Sequence, residues 1–463
     1  MNTRAWLLNL SCLVAILFGP PGASCSAQTL TQQQPVVGRF GVGTTISSPS
    51  FGGIAIDPGG VASAPGGSKT NATLDVAALK RRAQGNLPPN LSKSSSRRKV
   101  SLVRLERELG ELLESRQPIP SDILCLAGMT RIDYIIADRE NGDVILAGPA
   151  EGFAATPGGA VVGVESGRPT LLLDDLLVML RLPSMQQTVG CSFDPDRDRL
   201  AIAQKWFQSS PAASSVKDAR KQFAHMAGLL GHWNVTLFGL PATSHVALRL
   251  TDADFQMKRV NLGLRRTGIR GFKSQLQLMQ PNDNSMRRYW FAPRYEPIER
   301  STDGNVFRLS GPRLQLMSQE ELADAKGNRS AAAFREVSTE AYTRQFNKHL
   351  PDLCQRIPAF AALQNVFDLA VTSALLRKHN LPARAGWKPD LLLDSSRLPT
   401  AKCTVPTEVP SQLNTRRVGR DVVMFQMAGG VTLVPAKTVE KTVRMEHNLP
   451  ESLRSDSADW WWD

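Results

Sequence analysis

Three aspartates, Asp194, Asp196 and Asp198, alternate along the chain as the first three ligands of a calcium-binding loop do. The rest of such a loop is missing, because Arg199 stands where the sharp turn needs Gly and Lys205 where a bidentate Glu is needed. A helix cap explains the cluster better, since carboxylates are stabilised at the positive end of a helix. We therefore predict a cap here and no calcium site.

Three of the six histidines, His225, His232 and His245, are the side chains that a zinc ion would use. Their spacing does not match a zinc-protease helix, and Gly228 and Gly231 are expected to end the helix between the first two. The chain also lacks GxxxxGK[ST], GxGxxG and GxSxG, the patterns typical of phosphate loops, dinucleotide folds and serine nucleophiles. We predict no metal, no cofactor and no catalytic residue from these motifs.

Asp368 is the only charged residue between positions 359 and 376 of an otherwise apolar segment. Burial on an apolar helix would raise the pKa of its carboxyl group unless a cation paired with it, which is typical of an active site. The simpler interpretation is that Asp368 and Asn365 form one polar face that meets an arginine or a backbone donor. We favour the second interpretation and keep an exported hydrolase that uses Asp368 as the alternative.

Positive charge is the strongest compositional feature, with a net charge of +13 over 463 residues. Residues 258–308 hold 11 basic against 4 acidic residues, and six aromatic residues lie among them. Guanidinium groups pair with anions and rings stack on them, so the pattern favours a polyanion as ligand. Our candidate binding residues are Arg287, Arg288, Trp290 and Arg294. The alternative is a solvated basic face whose aromatic residues belong to the core.

The first residues resemble a signal peptide. Arg4 precedes a run of 14 residues (5–18) that is apolar except for Asn9 and Ser11. The run is shorter than the roughly 20 residues that a spanning helix needs, and we expect cleavage after Ala27. Lipid attachment at Cys25 is the alternative. The sequence therefore predicts export through the general secretory route to the periplasm, the cell surface or the medium, with no transmembrane span in the mature chain. An exported protein meets an acidic envelope polymer or a protein partner more readily than nucleic acid.

Removal of the leader would leave four cysteines in an oxidising compartment: Cys125, Cys191, Cys354 and Cys403. Four cysteines allow three pairings, and buried free thiols are an equally good interpretation, so we assign no disulfide.

Composition divides the chain into five parts. Residues 35–67 contain 13 Gly or Pro in 33 positions, too little apolar side chain to offset the cost of ordering the backbone. The predicted parts are a signal peptide (1–27), a Gly/Pro/Ser-rich disordered linker (28–98), an N-terminal α/β subdomain (99–265), a C-terminal subdomain with a β-meander and a helical hairpin (266–440), and a charged, Trp-ended tail (441–463). For the tail, docking on a partner and packing on the protein's own body stay open.

The fold class that the periodicities predict is α+β, with mixed or antiparallel sheets packed against amphipathic helices and one central apolar helix. Leucines at helical spacing predict a helix over 102–113, and β-rich runs around Asn141-Gly142 predict a hairpin of residues 132–137 and 144–147. Residues 171–173 and 246–250 are expected to be strands that each lead into a helix.

In the second half of the sequence, β-rich patterns predict further strands at 289–295, 305–309 and 313–317, which we interpret as an antiparallel meander. An amphipathic helix is expected over 331–350 and the central apolar helix over 359–376. A last hairpin is predicted from residues 422–427 and 431–434 around Gly429-Gly430.

Several blocks of the chain resemble a planctomycete family of exported proteins that is defined only as a domain of unknown function. These blocks include 142–152, 253–259, 289–297, 365–370 and 429–431. The resemblance runs over about residues 118–435, implies export and a folded body, and brings no activity, catalytic residue or cofactor.

These observations together predict an exported, non-catalytic envelope or surface protein that binds a partner or an acidic polymer. The sequence leaves the ligand and the oligomeric state open.

Overall fold

The structure of the chain is a computed structural model that describes residues 55–56, 62–63, 79–81, 83, 87–156, 159–211, 213–419, 421–446, 453 and 461–463. The predicted signal peptide and most of the predicted linker lie outside these residues.

Eighteen strands occur in the described part of the chain. They are β1 (Ala55–Ile56), β2 (Ala62–Ser63), β3 (Ser95–Ser101), β4 (Tyr134–Asp138), β5 (Asp143–Ala150), β6 (Phe153–Ala155), β7 (Val161–Gly163), β8 (Val189–Pro195), β9 (His232–Phe238), β10 (Met286–Arg294), β11 (Ile298–Arg300), β12 (Val306–Arg308), β13 (Arg313–Ala323), β14 (Arg329–Ala331), β15 (Glu408–Pro410), β16 (Leu413–Val418), β17 (Asp421–Leu433) and β18 (Thr442–Arg444).

The α-helices, again within the described residues, alternate with the strands. They are α1 (Pro89–Ser92), α2 (Leu102–Glu114), α3 (Ser121–Leu124), α4 (Leu173–Leu180), α5 (Arg197–Ser209), α6 (Val216–Leu230), α7 (His245–Asn261), α8 (Gln275–Leu278), α9 (Val337–Lys348), α10 (Leu350–Arg356), α11 (Pro358–Lys378), α12 (Leu381–Arg384), α13 (Asp390–Leu393) and α14 (Pro435–Thr438), and a short 3-10 turn covers Leu126–Gly128.

Two larger sheets organise the body. The eight-stranded sheet has the order β14-β13-β10-β17-β8-β9-β15, with β16 paired to β17, and it curls into a half-barrel. The six-stranded sheet has the order β18-β11-β12-β4-β5-β3, which leaves β3 at an edge. Most neighbouring strands are antiparallel, whereas β10 with β17 and β11 with β18 are parallel. The predicted α+β class with mixed sheets is confirmed.

The central apolar helix is α11, which packs against α7, α4 and β13. It is long and apolar enough to cross a membrane, yet its most apolar window is entirely buried within the fold. Two of its polar side chains donate to carbonyls there: Gln364 Nε2 to Pro312 at 2.8 Å, and Asn365 Nδ2 to Pro169 at 2.8 Å. The helix is thus the core of the body, as its polar interruptions predicted.

Elements with a strong local pattern lie where the sequence places them. Helix α2 buries Leu102, Leu105 and Leu109, and the β4–β5 hairpin turns at Gly142 with φ of +62°. The Asp cluster is a helix cap as predicted, since the Asp196 side chain accepts from the Arg199 amide at 3.0 Å at the start of α5.

The predicted strand at 246–250 is wrong, because these residues form the first turns of α7. Ser244 caps that helix by accepting from the Ala247 amide at 3.2 Å. A short apolar run reads the same in a buried strand and in a buried helix, and here packing between α11 and the sheet decides. The predicted strand at 171–173 is also wrong. Leu171 is held by one hydrogen bond to the Met129 carbonyl at 2.7 Å, and Leu173 already begins α4.

The predicted hairpin around Gly429-Gly430 is wrong as well, since β17 runs straight through both glycines and pairs with β8 there. A Cβ on Gly429 would lie 2.0 Å from Asp254 Oδ1, so the glycine serves a close approach of α7 instead of a turn. The meander is split between the sheets: β10 pairs with β13, whereas β12 pairs with β4 in the other sheet. The helix expected over 331–350 begins at Val337, after β14.

Both large sheets take strands from each side of residue 265, the predicted boundary between subdomains. Strand β3 starts at Ser95, so the last residues of the predicted linker lie in the folded part.

Candidate functional site

The four predicted binding residues lie on β10, where alternation places neighbours on opposite faces. Arg287 is on the core face with Tyr289 and Phe291, and all three are fully buried. Arg288 and Trp290 lie half-buried on the opposite face, and Arg294 is exposed at the strand's end. The structure therefore places Arg288, Trp290 and Arg294 on one face of β10, with Arg294 at the exposed end of the strand, and Arg287 on the other face.

Arg287 is a structural ion-pair residue. Its Nε lies 3.1 Å from Glu320 Oε2 and its Nη2 lies 3.3 Å from Asp283 Oδ2, while Nη2 also donates to Ser338 Oγ at 3.2 Å. With 0% of its surface exposed, its guanidinium group has no access to a ligand outside the fold. The alternation of β10, with Tyr289 and Phe291 on the same face, is the sequence feature that indicates this placement.

Arg288 belongs to a charge-balanced group that we call the sheet ion cluster: Arg288, Arg329, Asp194 and Glu321. Arg288 Nε lies 2.8 Å from Glu321 Oε1, and Arg329 Nη1 lies 2.8 Å from Asp194 Oδ1. Arg288 also pairs with Asp194, and Arg329 with Glu321. Burial would raise the pKa of the Asp194 carboxyl, but Arg288 and the Ser192 hydroxyl outweigh it and lower that pKa. Burial and the neighbouring Arg288 lower the pKa of Arg329 to about 10.

Asp368 is packed in the core with three partners. Arg313 Nε lies 2.9 Å from Oδ1, the Tyr295 hydroxyl donates to Oδ1 at 2.9 Å, and the Ile132 amide donates to Oδ2 at 3.2 Å. Burial raises the pKa of the Asp368 carboxyl, and Arg313 opposes that rise. The contacts match the structural interpretation, an arginine and a backbone donor, and Asp368 itself has no exposed surface.

A different basic surface is formed where β3 and α2 meet the end of the chain. We call it the basic groove, and its volume is about 740 Å³. Its charged and aromatic lining consists of Lys93, Arg97, Arg98, Arg104, Arg107, Glu108, Trp461, Trp462 and Asp463. Five cations, of which Arg98 is buried, against two carboxylates give the groove a positive balance that the sheet ion cluster lacks.

Helix periodicity builds one wall of the groove. Arg104, Arg107 and Glu108 line the groove, and positions three and four apart share one helix face. The opposite stripe of α2 is buried, which fixes the orientation of this basic face. Exposed Lys93 and Arg97 supply the second wall from β3 and the turn before it.

The tail pairs with the edge of β3 and forms part of the lining of the groove. Trp462 forms an antiparallel bridge with Val100, and the Ser101 amide donates to the Trp461 carbonyl at 2.8 Å. The Lys99 amide donates to Asp463 Oδ1 at 2.6 Å, and Lys99 Nζ lies 3.1 Å from Asp463 Oδ2. Of the two possibilities for the tail, the described residues show packing on the protein's own body.

Arg98 positions the tail. Its Cζ lies 5.1 Å from the centre of the Trp462 ring, and its Nε donates to the Asp463 carbonyl at 3.1 Å. Nη1 donates to the Ala127 carbonyl at 2.8 Å. Burial lowers the pKa of this guanidinium group, and Asp463 partly offsets that effect. Arg98 therefore holds a tryptophan at the groove instead of offering its own charge freely.

The groove's parts are visible in the sequence as a Ser/Arg/Lys run, an amphipathic helix and a Trp-rich tail. No local pattern connects residues 93–108 with residues 461–463. Their contact forms because the end of the chain pairs with β3, an edge strand that lies more than 350 residues earlier in the sequence.

Among the described residues no group of three or more His, Cys, Asp or Glu side chains is placed to hold a metal ion. Cys125, Cys191 and Cys354 are buried free thiols and Cys403 is a half-buried one. Burial raises the pKa of both Cys125 and Cys354 to about 12, so these thiols stay protonated at neutral pH.

Residues 191–274 match a family model described as a protein of unknown function (DUF1598). The matched segment runs from β8 to the residue that caps α8, and includes Asp194 of the sheet ion cluster. The search of curated proteins found no match, and neither did the search of solved structures. The predicted resemblance to a domain of unknown function is confirmed, while the planctomycete origin stays a prediction.

Proposed function

We propose that this protein is an exported, non-catalytic binding protein that holds an acidic polymer of the envelope or cell surface in the basic groove. The observation that carries the proposal is the meeting of five basic side chains and two tryptophans around one surface groove.

The composition of the groove suits a polymer with repeated negative charges. Arginines on α2 and on β3 lie on both walls, so successive anionic groups of one chain can pair with alternate walls. Trp461 and Trp462 offer half-buried ring faces beside these cations, which suits sugar rings between the charges. A single small anion would use only part of a groove of about 740 Å³.

Export is part of the proposal and rests on residues 1–27, which lie outside the described residues. If it is correct, the protein isolated from its native cell begins at Gln28, or carries lipid on Cys25 in the alternative. N-terminal sequencing and intact mass of that protein decide between these outcomes, and an uncleaved chain in the cytosol would contradict export.

The groove is tested by charge reversal on its two walls. We expect Lys93→Glu with Arg107→Glu to weaken binding to heparin or polygalacturonate by about tenfold or more at moderate salt, because two attractive charges become repulsive. Retention on heparin and mobility shift in gels that contain polygalacturonate measure the effect. Binding of the native chain should also fall with rising salt.

The matched control is Arg266→Glu with Arg270→Glu, which changes net charge equally at two exposed positions of the sequence-predicted basic segment. This control should keep most of the affinity. Equal losses in both double variants would show that net charge alone governs retention, and the groove would then have no specific role. Thermal unfolding of each variant verifies that the fold is intact.

A further inference from the structure

The exposed face of the half-barrel carries a second recess, distinct from the basic groove. Its volume is about 300 Å³, and it lies over β8, β10, β13 and β17. The side chains used in the argument are Ser192, Phe238, Arg288, Trp290, Gln319 and Thr432.

Glycines create the space of this recess. Gly429 and Gly430 lie in the middle of β17 and line the recess without side chains. On the other side of β17, Asp254 and Lys258 of α7 press against Gly429, where a Cβ would lie 2.0 Å from Asp254 Oδ1 and 2.8 Å from Lys258 Cε. Contact with α7 thus requires glycine at position 429, and Gly429 and Gly430 leave bare backbone in the recess that a flat ligand can approach closely.

Aromatic side chains stand on two sides of this surface. Trp290 and Phe238 are both half-buried, so part of each side chain stays accessible from the recess. The Phe238 ring covers Gly190, where a Cβ would lie 2.8 Å from its Cε2 atom. Such faces bind the C–H surface of a sugar ring by dispersion and hydrophobic contact.

Polar groups with spare capacity complete the recess. Within the described chain, the Trp290 indole N–H, the Gln319 side-chain amide and the Thr432 hydroxyl have no hydrogen-bond partner. The indole N–H is a donor, whereas the amide and the hydroxyl can each donate and accept. Such groups form hydrogen bonds with the uncharged hydroxyls of a sugar. By contrast, Arg288 is fixed by Glu321, Asp194 and the Ser192 hydroxyl, with Nη1 3.3 Å from Ser192 Oγ.

The charges at the recess cancel. The sheet ion cluster contains two arginines and two carboxylates, so it offers no net attraction to an anion. We propose that this recess binds a ring of a neutral saccharide, with the ring against Trp290 and its hydroxyls on Gln319 and Thr432. The acidic polymer of the basic groove and this neutral sugar are separate ligands on separate surfaces.

The test is a panel of neutral disaccharides of glucose, galactose, mannose and N-acetylglucosamine, measured against the full chain by saturation-transfer NMR. We expect at least one of them to bind, and Trp290→Ala to weaken that binding by about tenfold or more. Trp206→Ala removes an equally half-buried indole from α5 and should leave binding unchanged. Absence of binding across the panel, or binding that Trp290→Ala leaves intact, would overturn the proposal.

A second variant tests the recess independently, in case Trp290→Ala does not fold. Thr432→Val keeps the shape of an exposed side chain and removes only its hydroxyl, and we expect it to weaken binding several-fold. The groove variant Lys93→Glu with Arg107→Glu should keep full saccharide binding, because it lies outside the recess. If that variant abolishes saccharide binding, the sugar belongs to the groove and the recess is refuted as its site.

Discussion

Arginines serve opposite purposes in the two charged regions of this molecule. In the half-barrel, Arg287 meets Glu320 and Asp283 with no exposed surface, and Arg288 and Arg329 share two carboxylates. In the basic groove, cations on α2, on β3 and in the turn before β3 outnumber the carboxylates by five to two. The first set stabilises the sheet, whereas the second gives the surface a positive balance.

The difference shows why net charge along the sequence does not locate a binding surface. Residues 258–308 hold more than half of the chain's positive excess, yet Arg287 and Arg288 there are neutralised by acidic partners from other segments, such as Glu320 and Asp194. Apart from Asp283, the counter-charges are supplied by β8 and β13, which a count within one segment omits. Surface charge is therefore a property of the folded chain.

The largest predicted effect on the free energy of unfolding is at Arg287. Arg287→Met should lower the free energy of unfolding by about 3–5 kcal/mol, because Glu320 stays buried without its cation. Lys93→Met, which removes one exposed cation from the groove, should change it by less than about 0.5 kcal/mol. Urea unfolding of both variants measures the contrast. Similar losses in the two would contradict the division into structural and surface cations.

A medium effect is predicted where α7 presses on the half-barrel. Gly429→Ala should destabilise the protein by about 1–3 kcal/mol, because the new Cβ collides with Asp254 and must displace a buried ion pair. Gly110→Ala is the control, since its Cβ meets nothing closer than 3.9 Å within a helix and should raise stability slightly. Thermal unfolding of both variants tests this. A neutral Gly429→Ala would mean that the contact with α7 does not require glycine at this position.

Local patterns sufficed for the elements whose packing follows from their own sequence. The stripe of α2, the turn at Gly142 and the polar interruptions of α11 each specify their structure within a few residues. Residues 246–250 did not, because a five-residue stretch that is apolar except for Arg249 fits a strand or a buried helix equally, and only contact with α11 decides. The hairpin predicted at the glycines of β17 was wrong for the same reason, because the contact that requires Gly429 comes from Asp254 on a distant helix.

The candidate site was less predictable than the fold. Alternation along β10 could have assigned Arg287 to the core face, because Tyr289 and Phe291 share it. The groove needs contacts between residues more than 350 positions apart, such as Lys99 with Asp463, and no spacing rule connects them. Sequence reasoning identified its pieces and could not join them.

The smallest effect predicted is a pH dependence at Asp368, the carboxylate that is buried against a single arginine. Burial raises its pKa in the folded state, and Arg313, the Ile132 amide and the Tyr295 hydroxyl oppose this. A carboxyl group whose folded pKa exceeds its unfolded pKa binds more protons when folded, so stability falls as pH rises through that interval.

Arg313→Met removes the strongest opposing group and should raise the folded pKa of Asp368 further. The variant's loss of stability should therefore be smaller at pH 5 than at pH 8, by about 1.4 kcal/mol for each added pKa unit. Urea unfolding of the native chain and the variant at both pH values measures this difference, with Arg294→Met, which removes an exposed arginine, as the control. A loss of equal size at both pH values would mean that Arg313 stabilises the fold through its other contacts, such as the ion pair with Asp133 at 2.9 Å, and not by neutralising Asp368.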